Sequence, residues 1–266
     1  MALVQHKSKI VRFQQQVDNS VEYLVPFVEK RIPLKTGLKV LEIGCGEGGV
    51  LKPFTERGSQ VLGVDLSTSR IETACHLFKE EIASGQADFM VKNVWDEDFL
   101  EKYKGNFDLI ILKDVIEHIP NQEAFIPYLK KFLSPQGYIF FGFPPWWMPF
   151  GGHQQVCKSK FLAFLPWYHL LPTGLYKGIL KAFGEKPKTI DELIEVKETG
   201  ISLHRFERII QKSGLLTREK IHFLINPIYK FKFGIKPIKQ AKLITKIPFF
   251  RDFVTTAGWY LVSPEN

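Results

Sequence analysis

The chain has 266 residues, of which 45% are hydrophobic, and it carries a formal net charge of +8. This length and composition fit one α/β domain with insertions, and they exclude a disordered chain. The three cysteines are an odd number without CxxC spacing, which argues against a disulfide framework or a zinc site. The first ten residues lack the apolar stretch of a signal peptide, and the most apolar run, residues 161–171, is too short to span a bilayer. A reducing cytoplasm is therefore the expected location.

Residues 1–36 are expected to form an N-terminal helical segment. Apolar residues between Ile10 and Val28 recur at steps of three and four, which is typical of one face of a helix. Pro26 is predicted to divide this segment into two helices, because proline has no N–H to donate within a helix. A break in regular structure is predicted at Pro33–Gly37.

Between Lys39 and Phe143, short apolar strands alternate with helices. The predicted strands are residues 40–43, 61–64, 89–91, 107–112 and 138–143. The predicted helices are residues 48–57, 67–83 and 122–133. This alternation indicates an α/β fold, a doubly wound parallel sheet with helices on both faces and right-handed crossovers.

The alternation stops after Phe143. Residues 144–200 are rich in proline, glycine and aromatic residues, and we expect them to form an insertion on the substrate side of the sheet. A helix at 202–213 and strands at 218–225 and 258–262 follow, which brings the predicted sheet to seven strands. Residues 226–253 carry seven basic residues against one acid, and they form a basic insertion between the last two strands.

A glycine-rich segment follows the first strand and carries the main chemical signal. Gly44, Gly46 and Gly48 let the backbone turn sharply and approach a ligand closely. Asp65 ends the second strand, where its carboxylate can accept hydrogen bonds from both hydroxyls of a ribose. Gly44, Gly46 and Gly49 also satisfy GxGxxG, so this loop alone does not separate NAD from S-adenosylmethionine (SAM).

Three further features separate the two cofactors. Glu42 precedes the loop and gives the form ExGxGxG, and the segment Lys113-Asp114-Val115-Ile116-Glu117-His118-Ile119 follows the fourth strand. The chain also ends in a helix and two strands. Together these features resemble class I SAM-dependent methyltransferases, in particular the type 11/23-like group with an Asp-Val-x-Glu-His-Ile segment. The resemblance covers residues 38–143 well and 200–262 loosely, and it implies one Rossmann-like methyltransferase domain over residues 1–266.

The resemblance also implies which residues bind SAM and release S-adenosylhomocysteine (SAH). Asp65 would hold the ribose and Leu66 would lie against the adenine. Asn93 stands where the family usually has aspartate, and Lys113 stands where members often have a small polar residue. The full set of implied cofactor residues is Glu42, Gly44, Cys45, Gly46, Gly48, Asp65, Leu66, Asn93, Val94, Lys113, Asp114 and His118.

Three histidines are candidate catalytic bases. His118 follows the fourth strand, His153 follows a glycine pair after the fifth strand, and His204 lies at a predicted helix start. Each also has a simpler interpretation as a packed structural residue. Trp146, Trp147 and His153 are the candidate substrate-binding residues. No metal is predicted, because no two of the histidines show metal-ligand spacing with a carboxylate.

The dense aromatics of residues 144–200 predict a bulky or partly apolar acceptor: a small molecule, a saccharide or a lipid-linked compound. The leading hypothesis is transfer of the methyl group to an oxygen atom of this acceptor. The basic insertion at 226–253 is either a solvated face, a peripheral contact with an anionic membrane, or a site for an anionic acceptor. Nucleic acid is the weaker option, because no binding motif accompanies the positive charge. The oligomeric state does not follow from the sequence.

Two other functions compete with methyl transfer. The first is an NAD-dependent oxidoreductase or epimerase, which is disfavoured because no YxxxK-type catalytic pair is present. The second is a non-catalytic protein that binds SAM or a partner enzyme, since an intact glycine loop does not by itself require turnover.

Overall fold

A computed structural model describes residues 8–265 and shows one mixed sheet between two helical layers. Its strands are β1 Lys39–Ile43, β2 Gln60–Asp65, β3 Ala87–Val91, β4 Phe107–Lys113, β5 Leu133–Phe143, β6 Leu215–Ile225, β7 Ile238–Lys239 and β8 Ala257–Pro264. The strand order is β3-β2-β1-β4-β5-β8-β6-β7. The first five strands are parallel, and β8 runs antiparallel to both β5 and β6.

The predicted α/β doubly wound sheet is therefore confirmed, with one more strand than the seven expected. The additional strand, β7, is two residues long, exposed and located inside the basic insertion. Such a short exposed strand has no apolar alternation to reveal it in the sequence.

The N-terminal helices run without interruption from Lys9 to Val28. They comprise α1 (Lys9–Asn19), a π-helical turn at Ser20–Leu24 and α2 (Val25–Val28). Pro26 was expected to separate two helices, but the π-helical turn before it keeps the chain helical; the Val25 N–H donates to the Ser20 carbonyl, five residues back. Residues 1–7 of the predicted segment 1–36 and residue 266 lie outside the described residues.

The helix predicted over residues 48–57 is wrong in extent. Only Lys52–Thr55 (α3) is α-helical, and the preceding residues form turns. Gly44, Gly46 and Gly48 have positive φ angles of 69°, 55° and 82°, which a right-handed helix does not accept. The loop therefore ends in a short helix and does not present a long helix N-terminus to a ligand.

The remaining connections between strands are close to expectation. The helix predicted over 67–83 is α4 (Thr68–Leu77) followed by α5 (Lys79–Ala83), interrupted at Phe78. The structure adds α6 (Glu97–Tyr103) and shortens the helix at 122–133 to α7 (Gln122–Leu129). One apolar cluster on each face of the sheet packs these helices against the strands.

Residues 144–200 contain three helices: α8 (Lys160–Phe164), α9 (Thr173–Ala182) and α10 (Pro187–Thr199). They enclose a third apolar cluster that includes Tyr168, Tyr176 and Leu193. The Thr199 hydroxyl donates to the Glu117 carbonyl and so anchors the insertion beside the end of β4. Among residues 8–265, no helix is both long and apolar enough to cross a membrane.

The C-terminal part begins with α11 (Leu203–Lys212). Between β6 and β8 the chain forms α12 (Ile228–Phe233), α13 (Lys242–Thr245) and α14 (Phe250–Phe253) around β7. Asp252 of α14 is fully buried, and its Oδ1 accepts the Leu203 N–H at 2.5 Å, while its Oδ2 has no hydrogen-bond partner. This contact joins α14 to the start of α11.

Asp252→Asn is expected to stabilise the fold at pH 8 by about 1–3 kcal/mol. Burial raises the pKa of Asp252 to about 6, although the Leu203 N–H and Arg251 act to lower it; Glu207 and His204 are the other titratable groups nearby. The folded carboxyl thus binds its proton more tightly than the unfolded one, so its contribution to stability is lost as pH rises through about 6. Denaturant titrations of both proteins at several pH values measure the difference, which should shrink towards pH 4.5. A difference independent of pH would contradict the assignment.

Candidate functional site

The glycine loop lies at the carboxyl edge of β1, tied to the neighbouring strand. The N–H groups of Gly44 and Cys45 both donate to the Val64 carbonyl, at 2.7 and 3.0 Å. A Cβ on Gly44 would approach Val115 Cγ2 to 2.5 Å, whereas a Cβ on Gly46 would meet no atom within 4 Å. Gly46 therefore borders open space above the strand end, where a ligand can contact the backbone.

Asp65 at the end of β2 holds the loop and also faces this space. Its Oδ2 accepts the Gly46 N–H at 2.9 Å, and its Oδ1 accepts the Ser67 N–H at 2.8 Å. Arg70 is a more distant neighbour, with 3.9 Å from its Nη1 to Asp65 Oδ2. The carboxylate is thus fixed in direction and keeps further acceptor capacity for hydroxyl groups.

Three ionisable side chains, Glu42, Lys113 and Asp114, lie at the carboxyl ends of the neighbouring strands β1 and β4. Glu42 is buried, and its Oε2 has no hydrogen-bond partner. Burial raises the pKa of Glu42 well above its ordinary value, although Lys113 opposes this. Lys113 Nζ donates to Asp114 Oδ2 at 2.6 Å. Lys113 therefore acts within the structure as the counter-ion of Asp114, whose φ of 57° turns the chain sharply after β4.

The expected adenine side of the site is open. Leu66 is 74% exposed, while Val94 is buried and its carbonyl accepts the Tyr128 hydroxyl at 3.0 Å. Asn93 Oδ1 accepts the Trp95 N–H at 3.1 Å, so this side chain shapes the turn after β3. A second lone pair and the amide N–H groups of Asn93 stay free for a ligand.

His118 precedes β5 in the chain and His153 follows it, and the fold brings their two rings together. Their ring centroids are 4.9 Å apart, and His153 Nε2 lies 3.6 Å from Glu117 Oε1. Burial, followed by the neighbouring His118, lowers the pKa of His153 to about 3. Burial and Asp114 raise the pKa of Glu117 well above its ordinary value. At neutral pH this cluster therefore holds a neutral imidazole beside a carboxyl that favours its protonated form.

The same cluster is the place where the described residues could hold a metal ion. The ligand atoms of Glu117, His118 and His153 all lie within 4.8 Å of one another. The sequence did not show this grouping because His153 is far from the other two along the chain. The expectation that no metal binds stays a prediction.

A cavity of about 470 Å³ opens beside this cluster. Asp114, Glu117 and His153 form its polar end. Its apolar walls come from the segment after β5, from α8 and from the region of α12. The principal apolar lining residues are Met148, Phe150, Val156, Phe164, Phe233 and Ile235. The cavity therefore suits a molecule with a polar reacting end and an apolar body.

Several predicted site residues are not part of this cavity. Trp146 is buried against His169, with ring centroids 4.6 Å apart, and exposed Trp147 packs on Phe253. His204 lies beside Phe249, outside the residues that line the cavity. The substrate and catalytic roles predicted for these three residues therefore gain no support from the geometry, whereas His153 lines the cavity.

Helix α12 is the part of the site that the sequence did not reveal. Ile228, Tyr229, Lys232 and Phe233 line the cavity. Their spacing places them on one side of a helix, and this spacing was the available signal. The helix was missed because residues 226–253 were interpreted as a single basic stretch.

Comparison with known proteins supplies the family. A family profile described as "Methyltransferase domain" matches residues 13–165, which is more than half of the chain. This match covers β1 to β5, the glycine loop and both histidines of the cluster.

Curated relatives are similar over the same region. The ubiquinone biosynthesis O-methyltransferase of Idiomarina loihiensis is 32% identical over 116 residues, 43% of this chain and 46% of that protein. The mitochondrial protein of the same name from Homo sapiens is 29% identical over 128 residues, 44% of this chain and 34% of that protein. The matched segment thus spans less than half the length of these relatives.

Solved structures agree in fold. Geranyl diphosphate C-methyltransferase from Streptomyces coelicolor, solved with Mg²⁺, geranyl diphosphate and SAH, has a TM-score of 0.56 and 15% identity, covering 91% of this chain and 80% of that one. A sarcosine dimethylglycine methyltransferase homologue from Galdieria sulphuraria has a TM-score of 0.58 and 14% identity, covering 91% and 82%. With the profile match, the sheet and the glycine loop in agreement, the chain belongs to the class I SAM-dependent methyltransferases.

Proposed function

We propose that this protein transfers the methyl group of SAM to an oxygen atom of a small amphipathic acceptor, with SAH as the second product. The observation that carries the proposal is the cavity beside the His118–His153 pair. It begins at Asp114, which follows β4 at the same sheet edge as the glycine loop, and it extends into apolar walls. The names of the O-methyltransferase relatives support oxygen as the methylated atom.

The residues at the carboxyl edge fit the cofactor. Gly46 borders open space, Asp65 presents a fixed carboxylate for the ribose hydroxyls, and Glu42 has a buried oxygen without a partner. Leu66, Asn93 and Val94 would border the adenine. When bound, SAM supplies an electrophilic methyl group on a sulfonium sulfur. The protein then has to align the acceptor oxygen with that methyl group and exclude water, and positioning of this kind can contribute about 7–11 kcal/mol.

His153 is the residue best placed to take the proton of the acceptor hydroxyl. Its imidazole is neutral at physiological pH and lines the cavity. As the oxygen gains its methyl group the hydroxyl proton becomes strongly acidic, so a weak base is sufficient. The carboxyl group of Glu117 is close to this ring, with 3.6 Å from its Oε1 to His153 Nε2.

His153→Gln is expected to lower the turnover number by about 100-fold and leave SAH affinity within about twofold. His204→Gln is the matched control, because His204 lies outside the cavity. The assay follows transfer of a radiolabelled methyl group to 4-hexylcatechol, with 4-hexylaniline as the amine counterpart. Equal turnover by wild type and His153→Gln would contradict a base role, and turnover that requires an added divalent cation would contradict metal-free proton transfer to His153. Methylation of the aniline alone would contradict O-methylation.

We also propose that residues 235–253, named here the basic surface, rest on an anionic membrane. Leu243, Phe249 and Phe250 are 74%, 64% and 50% exposed. The same segment carries four exposed lysines: Lys236, Lys239, Lys242 and Lys246. Apolar side chains with flanking cations match the interface of a bilayer that contains acidic lipids. Ile235 belongs both to this surface and to the cavity lining, so a lipophilic acceptor could enter directly from the membrane.

Flotation with lipid vesicles tests this contact. Wild type should float with vesicles that contain phosphatidylglycerol and release them at high salt, since exposed charges are screened. The Leu243→Asp variant should no longer float with the vesicles. Leu175→Asp on α9 is the control: it makes the same substitution at a leucine that is 54% exposed, and this variant should still float. Flotation that is the same for both variants, or equal on pure phosphatidylcholine, would contradict the proposal.

A further inference from the structure

Helix α12 is fixed over the cavity by contacts with the N-terminal helices. The Gln15 side-chain amide donates to the Phe231 carbonyl at 3.2 Å, and Lys230 Nζ forms an ion pair with Glu22 at 2.5 Å. Phe231 also packs edge-on against Tyr23. Because residues 230 and 231 face the N-terminal helices, Tyr229 and Lys232 are directed towards the cavity, and both line it.

Lys232 is the only lysine or arginine among the residues that line this cavity. It has no hydrogen bond or ion pair with any residue in the described range 8–265. The neighbouring lysine on α12 is different, because Lys230 is paired with Glu22. A sheltered cation without a partner is costly, so its presence in a binding cavity indicates that a ligand supplies the negative charge.

The acidic groups of the cavity supply that charge only in part. Asp114 is 2.6 Å from Lys113 Nζ and already has its counter-ion. Glu117 favours its protonated form because burial raises its pKa. Burial also lowers the pKa of Lys232, which Asp114 only partly opposes. A bound anion would oppose this lowering and favour the protonated form of Lys232.

Two neutral donors, Tyr229 and Asn226, also line the cavity. Burial raises the pKa of Tyr229 to about 12, so its hydroxyl stays a hydrogen-bond donor. Asn226 Oδ1 accepts the Ile228 N–H at 3.3 Å, which leaves the amide N–H groups of this side chain as donors. A cation with two neutral donors forms a suitable environment for a carboxylate or a phenolate.

Building on the proposed methyl transfer, we infer that Lys232 binds an anionic group of the acceptor, a carboxylate or phenolate carried on an apolar body. The apolar walls formed by Phe164, Phe233 and Ile235 hold that body, and the polar end at His153 receives the hydroxyl to be methylated. The carboxylate in the methionine part of SAM could also pair with Lys232. The experiment therefore distinguishes an anion of the acceptor from the carboxylate of the cofactor.

Calorimetric titration with two probes of equal shape tests this subsite. 4-Hexylbenzoate carries the anion, and 4-hexylbenzamide carries a neutral amide in its place. Wild type is expected to bind the benzoate about tenfold more tightly than the benzamide, as a charge-assisted hydrogen bond implies. In Lys232→Met this preference should disappear and in Lys232→Arg it should largely persist, with SAH affinity within about twofold throughout. Lys236→Met, which removes an exposed lysine of the same insertion, is the control and should keep the preference.

Three results would overturn the inference. Equal binding of both probes to wild type, or no binding of either, would show that the cavity does not select an anion. A preference that persists in Lys232→Met would assign the selection to another group. A loss of SAH affinity in Lys232→Met would place the cofactor carboxylate at this lysine. The probe titrations are run both with and without SAH. A wild-type protein that does not bind SAH would contradict the proposed function, and the titrations without SAH would still test the anion preference of Lys232.

Discussion

Asp65→Ala is expected to weaken SAH binding by about 100-fold or more, because the ribose loses two hydrogen bonds to a carboxylate. The same change removes the acceptor of the Gly46 and Ser67 N–H groups, so the glycine loop also loses its support. Calorimetric titration with SAH measures the effect. Asp65→Asn, which keeps one acceptor oxygen, should bind with intermediate affinity.

Asp98→Ala is the matched control for this experiment. Asp98 is an exposed acid on α6 that pairs with Lys92 at 2.8 Å. Its removal changes the net charge by the same amount and should leave SAH affinity unchanged. Similar losses in Asp65→Ala and Asp98→Ala would indicate a general electrostatic effect and would contradict a specific ribose contact at Asp65.

Gly46→Ala is expected to fold and to lose SAH affinity by at least about tenfold. Gly46 has a φ of 55°, so an alanine there costs about 1–2 kcal/mol of backbone strain. The new Cβ would meet no protein atom within 4 Å, and it would point into the space that we assign to the cofactor. Thermal unfolding measures the backbone strain, and SAH titration measures the steric obstruction of the cofactor by the new Cβ.

Gly85→Ala is the control for Gly46→Ala, because it introduces the backbone strain of an alanine at positive φ without obstructing the cofactor. Gly85 has a φ of 73° and equally open surroundings, but it lies in the turn before β3. Both variants should lose a similar amount of stability, and only Gly46→Ala should lose SAH affinity. Unchanged affinity in Gly46→Ala would place the cofactor elsewhere on the sheet edge.

The fold followed from the sequence wherever apolar periodicity was strong. The buried strands β1 and β4 and the amphipathic helix α11 were predicted to within a few residues. The helix after the glycine loop was predicted too long, because periodicity takes no account of glycines that adopt positive φ. The break at Pro26 was likewise wrong, since a π-helical turn accommodates the proline.

The candidate site was predictable where it depends on local motifs. Asp65 and Gly46 meet because the carboxyl ends of parallel strands share one edge. The approach of His153 to His118 depends on the path of residues 144–153, which no local pattern encodes. The cavity walls were missed for the same reason: aromatic density drew attention to Trp146 and Trp147, whereas the walls come from α12 and from residues such as Phe150.

The central claim is that this sheet edge binds SAM and not a dinucleotide. Calorimetric titration of the wild-type protein with SAM, SAH and NADH tests it most directly. The account predicts binding of SAM and SAH in the micromolar range and no binding of NADH. Binding of NADH, or of none of the three, would contradict it.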